Sequence, residues 1–208
     1  MLHNKLHQLH RLSACLLGAY IALHLLNHLL ALQGIDTHIR FMEALRHVYR
    51  ERAVEILLLG CCAFQVMSGM RFLYARRGQR QGFYDRLQAL SGVYLAFFLL
   101  VHVSAVLFGR MQLGLDTNFY YAAAGMHVTP FQFFFVPYYF LAVCAVFAHL
   151  ACASRWLMRE RLAFKILERG ARTVLVIGIV TAAIIVATFC GAFYPVDIPA
   201  TYRATYTH

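Results

Sequence analysis

The sequence predicts an all-α integral membrane protein: a single bundle of five transmembrane helices with the N-terminus in the cytoplasm. Three observations carry this. Residues 12–35, 56–70, 87–109, 117–154 and 173–196 contain no Asp, Glu, Lys or Arg, in a chain of 208 residues that is 61% hydrophobic and 13% charged. A membrane-spanning helix needs roughly 20 mostly apolar residues, and each window supplies one once its weakly charged flanks are included. The apolar–polar alternation of a lipid-facing β-barrel occurs nowhere, so the spans are helices. Finally, the basic residues gather in alternate loops, as topology in a cytoplasmic membrane requires.

Taken in order, helix one covers about 11–33. Its apolar run is too long for a cleaved signal, and no small-x-small site follows His28 or Leu32. Residues 37–52 place Ile39, Phe41, Met42, Leu45 and Val48 at roughly helical spacing among charges, which reads as an interfacial helix. Helix two covers about 53–76 and helix three about 88–109. The stretch 115–135 is rich in Phe and Tyr and contains Pro130, consistent with a re-entrant or interfacial cap. Helix four covers about 132–157 and helix five about 172–194.

Orientation follows from the basic residues. With the N-terminus inside, thirteen face the cytoplasm: Lys5, Arg11, the group Arg71–Arg86, and the group Arg155–Arg172. Six face outward: Arg40, Arg46, Arg50, Arg52, Arg110 and Arg203. The surplus of +10 therefore reads as topology marking, or else as docking of a cytoplasmic partner or anionic lipid, and not as nucleic-acid binding. Cys15, Cys61, Cys62, Cys144, Cys152 and Cys190 all fall inside the spans, where they pack as small apolar groups. A soluble enzyme and a disordered chain are excluded.

An internal duplication organises the spans. LSACLLGAYIALH (12–24) lies over LSGVYLAFFLLVH (90–102) without a gap, and FQVMSGMR (64–71) lies over AHLACASR (148–155). Helices one and three run in the same direction, and each places a histidine eleven residues, about 16 Å, beyond a serine. His24 and His102 thus share one layer on the outer side of the midplane. Gln65 and His149 share a second layer nearer the cytoplasm, six residues before Arg71 and Arg155.

Polar side chains are costly in hydrocarbon, so these are the candidate site residues. Two neutral imidazoles on facing helices suit axial ligation of a haem iron. They also suit plain hydrogen bonds across helices. Gly18, Ala22, Ala96, Ser104 and Ala105 leave room for a macrocycle near His24 and His102. His28, one turn beyond His24, is an alternative ligand or a group at the outer interface. Ser13 with Arg11, and Ser91 with Arg86, lie near the cytoplasmic boundary and can offer hydrogen bonds to a quinone carbonyl or to lipid phosphate. His3, His7 and His10 read as hydrated interface, with His10 alone near a haem or quinone edge. His38, His47 and His127 read as ordinary loop residues.

At these positions the chain resembles the single-chain, five-helix, two-haem cytochrome b anchor of succinate dehydrogenases and fumarate reductases. The similarity runs over about residues 6–194, through L-H-R-L-S (9–13), I-A-L-H-L-L-N (21–27), F-Q-V-M-S-G (64–69), L-Q-A-L-S-G-V (87–93), H-V (102–103) and F-A-H-L (147–150). It implies haem b held by His24 and His102. It implies a second, inner haem held by His149 and a helix-two histidine, whose place Gln65 takes. It further implies cytoplasmic flavoprotein and iron–sulfur subunits and a membrane quinone, with all dicarboxylate chemistry in those partners. A stand-alone one-haem cytochrome b, and a haem-free scaffold or channel that inherited the fold, are the alternatives.

Overall fold

The computed structural model describes residues 2–206, and among them the chain is helical without a strand. The elements are α1 (Leu2–Leu30), a 3-10 turn (Ala31–Gln33), α2 (Ile35–Tyr49), α3 (Arg52–Ala75), α4 (Gly82–Met111), α5 (Phe119–Ala124), α6 (Gln132–Met158), α7 (Phe164–Phe189), α8 (Ala200–Arg203) and a last 3-10 turn (Ala204–Tyr206). Five stretches are long and apolar enough to cross a membrane: Lys5–Gln33, Arg52–Ala75, Gly82–Met111, Gln132–Met158 and Phe164–Phe189. At about 1.5 Å per residue they also reach into the interfacial zones. The expected interfacial helix is α2, and the aromatic stretch folds into α5 and the turns around it, including a cis Thr129–Pro130 bond.

The helix ends differ from the expected spans, and for one reason. Charge marks the edge of hydrocarbon but does not break a hydrogen-bonded helix. Helix one therefore starts by Leu2 and not near residue 11, helix three starts at Gly82 and not near 88, and helix five starts at Phe164 and not near 172. At the other end α7 stops at Phe189, five residues early. Gly191 takes φ +80° there, and the amides of Gly191 and Ala192 bond the carbonyls of Thr188 and Ala187. This is the paired closure in which a left-handed glycine satisfies the last carbonyls of a helix.

The five spans form a ring. α3 packs on α1 and α4, α4 on α6, α6 on α7, and α7 returns to α1, so α1 and α4 face each other with α3 between them. α4 and α6 are joined by reciprocal bonds from Tyr94 Oη to the Tyr138 carbonyl at 2.9 Å and from Tyr138 Oη to the Phe98 carbonyl at 3.4 Å. The densest apolar packing lies at the end where α1 finishes. Ala31, Phe119, Ala123, Ala124, Ile185, Phe189, Ile198 and Tyr202 bury together there, under α2, α5 and the C-terminal segment. Polar ties close this cap: Arg46 to Asp116 at 2.6 Å, Arg110 to Glu55 at 2.5 Å, and Tyr194 Oη to the Ala31 carbonyl at 2.6 Å. We call this end the capped face and the opposite end the amino-terminal face.

α6 and α7 share the most extensive helix–helix contact of the bundle. Gly178 is the limiting point: a Cβ there would sit 2.3 Å from Cβ of Phe147. Gly178→Ala should therefore force the two helices apart at a cost of about 1–3 kcal/mol. Gly170→Ala, where a Cβ meets open space, should be neutral. Thermal denaturation in detergent checks this, and equal midpoints for the two variants would contradict it.

Candidate functional site

Near the capped face, His24 of α1 and His102 of α4 meet across the ring with centroids 6.2 Å apart and planes at 66°. Aromatic rings fix both. Phe98 stacks on His102 at 4.9 Å, Tyr139 meets it edge-on at 6.3 Å, and Tyr20 stacks on His24 at 5.7 Å. His28, one turn further along α1, brings its Nε2 to 3.1 Å from Nε2 of His24. Its Nδ1 lies 3.2 Å from Nε2 of His38, which comes from α2. Asn27 Nδ2 lies 3.1 Å from the same His38 nitrogen.

One carboxamide sets the protons along this line. An amide nitrogen only donates, so His38 Nε2 accepts from Asn27 and carries no hydrogen. His28 Nδ1 must then donate to it, which leaves His28 Nε2 bare and makes His24 Nε2 the donor of the last bond. Three imidazoles are thus ordered from α2 to the centre of the ring. His38 and Asn27 are only 2% and 3% exposed, and His38 Nδ1 and Asn27 Oδ1 have no partner.

The second polar layer lies toward the amino-terminal face. Gln65 Nε2 of α3 donates to the His10 carbonyl at 2.6 Å and to Ser13 Oγ at 2.7 Å, both on α1. His149 of α6 makes the matching contacts on α4, with Nδ1 at 3.3 Å from Ser91 Oγ and within reach of the Gln88 carbonyl. Residue 13 follows residue 10 as residue 91 follows residue 88, so the same three-point joint occurs in both halves of the duplicated sequence. Gln65 and His149 thus share a layer, but each is bonded to the helix beside it. His10 enters this layer too: its Nδ1 lies 2.7 Å from Ser68 Oγ of α3.

The serines proposed for quinone binding are used inside the bundle. Ser13 Oγ donates to the Leu9 carbonyl at 2.9 Å and accepts from Gln65; Ser91 Oγ donates to the Gln88 carbonyl at 3.2 Å and faces His149. Arg11 lies over the Trp156 ring at 4.9 Å, and Arg86 is exposed. Among the described residues, no group of three or more His, Cys, Asp and Glu side chains is placed to hold a metal ion.

Comparison with protein-family models, with curated proteins and with the solved structures finds no match for this chain.

Sequence reasoning passed over His38, Asn27 and Ser68. A signal existed for His38, which lies on the apolar stripe of α2 with Ile35, Met42 and Leu45. His10, set apart from His3 and His7 as the one near a haem or quinone edge, bonds Ser68 of α3. The His38 environment has a consequence for pH. Burial, with the charges of His24 and Arg46 nearby, pushes its pKa down to about 4 from 6.5. Below pH 6.5 the unfolded chain takes up a proton that folded His38 refuses, so stability falls as pH drops from about 6.5 to about 4. The groups facing it are His28 of α1, Asn27 of α1 and Arg46 of its own helix. Melting curves in detergent should show this acid loss in wild type and a smaller one in His38→Gln. Identical profiles would contradict the assignment.

Proposed function

We propose that this chain is a haem b-binding electron-transfer subunit of the cytoplasmic membrane. It joins a cytoplasmic flavoprotein and iron–sulfur pair to a membrane quinone, in the manner of the succinate dehydrogenase and fumarate reductase anchors it resembles. The observation that supports this best is the 6.2 Å between the His24 and His102 ring centroids. An imidazole–metal bond is about 2.0–2.1 Å, so two on opposite sides of one iron, with the half-widths of both rings, span roughly 6 Å. The residues therefore fit the group. A haem there supplies one-electron exchange.

The chain supplies the rest. His24 and His102 would hold the iron from α1 and α4. For His24 this would mean giving up its Nε2 bond to His28 and carrying its proton on Nδ1 instead. His28 stays tied to His38 and so keeps a lone pair beside the site. Phe98, Tyr139 and Tyr20 close the ring around both ligands and keep water out, which raises the worth of every electrostatic interaction inside. Thirteen of the nineteen basic residues fall in the segments at the amino-terminal face, and this excess supports a cytoplasmic position for it. Arg11 and Arg159 flank Trp156 there and offer a cationic surface to a soluble partner.

A reduced-minus-oxidised spectrum of the full chain, expressed with ample haem and purified in detergent, tests the reading. A b-type α-band is expected in wild type, with its His24/His102 component lost in both His24→Ala and His102→Ala. A flat spectrum in wild type, or no loss in His102→Ala, rejects it.

A further inference from the structure

α7 presents an open groove of about 510 Å³ along the start of its outer face. Lys165, Arg169, Arg172 and Val176 line it at steps of four, three and four residues, so they lie on one stripe of the helix. Arg172 is the last charge before residues 173–196, and the stripe turns from cationic to aliphatic at that point. Val176 and Ile177 line the second half, and Val180, one turn further along, continues it; the three are 50–59% exposed. The buried side of α7, with Ala171, Gly178 and Ala182, points the other way, into the bundle. The groove therefore straddles the edge of the hydrocarbon, with its charged half outside and its apolar half within.

One acid, Glu168, lines the groove, and the bundle uses it. Its Oε1 accepts from Tyr84 Oη of α4 at 3.0 Å and from Arg172 Nε at 3.1 Å, and its Oε2 faces Arg155 of α6 at 3.9 Å. These contacts neutralise the carboxylate and fix the direction of Arg172. Lys165 and Arg169 make no hydrogen bond or ion pair among the described residues. Two like charges four residues apart on a helix repel each other, and an anion between them removes that repulsion. An arginine fork matches two phosphate oxygens and a lysine adds a point charge, while the Thr173 hydroxyl offers a further donor at the boundary. A soluble anion would use only the charged half, and a neutral lipid only the apolar half. A phosphodiester carried on acyl chains uses both. We propose that this groove binds one anionic phospholipid. Lys165 and Arg169 hold its phosphate, Glu168 positions Arg172 beside it, and an acyl chain lies along Val176, Ile177 and Val180. The site involves none of the histidines and stands whether or not the chain holds haem.

Native mass spectrometry of the full chain in detergent, titrated with phosphatidylglycerol or with phosphatidylcholine, tests the proposal. Wild type should retain one phosphatidylglycerol about thirty-fold more tightly than phosphatidylcholine, the factor that two interfacial cations supply. Lys165→Gln/Arg169→Gln should remove this preference. Arg76→Gln/Arg77→Gln, which takes the same charge from the loop between α3 and α4, should keep it. Val176→Ala/Ile177→Ala should weaken phosphatidylglycerol binding, and glycerol phosphate, which lacks acyl chains, should not displace the lipid. Should the double charge variant fail to fold, Lys165→Gln alone, at an exposed position without a partner, should still lower the preference. The proposal is overturned if wild type retains the two lipids equally. Equal losses in the two charge variants also overturn it, because the attraction is then diffuse. So does unchanged affinity in Val176→Ala/Ile177→Ala, or displacement by glycerol phosphate, since either makes the groove a site for a soluble phosphoester.

Discussion

Inside a hydrocarbon slab a polar side chain has no water to fall back on, and the few that this protein carries within its spans are placed by that constraint. Each donor and acceptor must find a partner on a neighbouring helix or on its own backbone, or remain available to a ligand. Gln65 meets Ser13 and the His10 carbonyl, His149 meets Ser91, His10 meets Ser68, and His28 links His24 to His38. These contacts join α1 to α3, α4 to α6 and α1 to α2. The polar residues are therefore the fasteners that fix how the ring closes.

The ring is not packed evenly. Its α6–α7 side carries the most extensive contact, with Gly178 against Phe147, and the capped face is sealed by Phe119, Phe189 and their neighbours. The α1–α3–α4–α6 side is held mainly by the polar joints and by tyrosine bonds to backbone carbonyls. Between those four helices lie His10, His24, His102 and His149. The cap supplies the remaining piece, since α2 delivers His38 to His28 through a segment that never enters a span.

Each layer is governed by a proton count that starts from a group with only one choice. At the capped face the Asn27 amide nitrogen can only donate, and three imidazoles follow from it. In the amino-terminal layer Ser68 and Ser91 have one proton each, and both spend it on a backbone carbonyl one turn back. The outcome differs between layers. Near the cap the imidazoles bond to one another. In the amino-terminal layer His10 and His149 each bond a serine of the helix beside them.

The sequence by itself determined the number of long apolar helices, the helical class, the presence of a helix at 37–52 and the two layers of polar residues, because each is written in composition and in distance along one helix. Charge-free windows count spans, and eleven residues from serine to histidine set depth whatever the neighbours are. The sequence misplaced helix ends, since Arg and Lys stop hydrocarbon but not hydrogen bonding; the left-handed turn at Gly191 stopped α7 instead. It also left His38 among ordinary residues. Only the tertiary structure decided which polar groups touch, because that depends on rotation about each helix axis and on which helices are neighbours. Gln65 and His149 share a depth, yet each turns to the helix beside it, and His10, three residues from Ser13, is the imidazole that rotation brings inward.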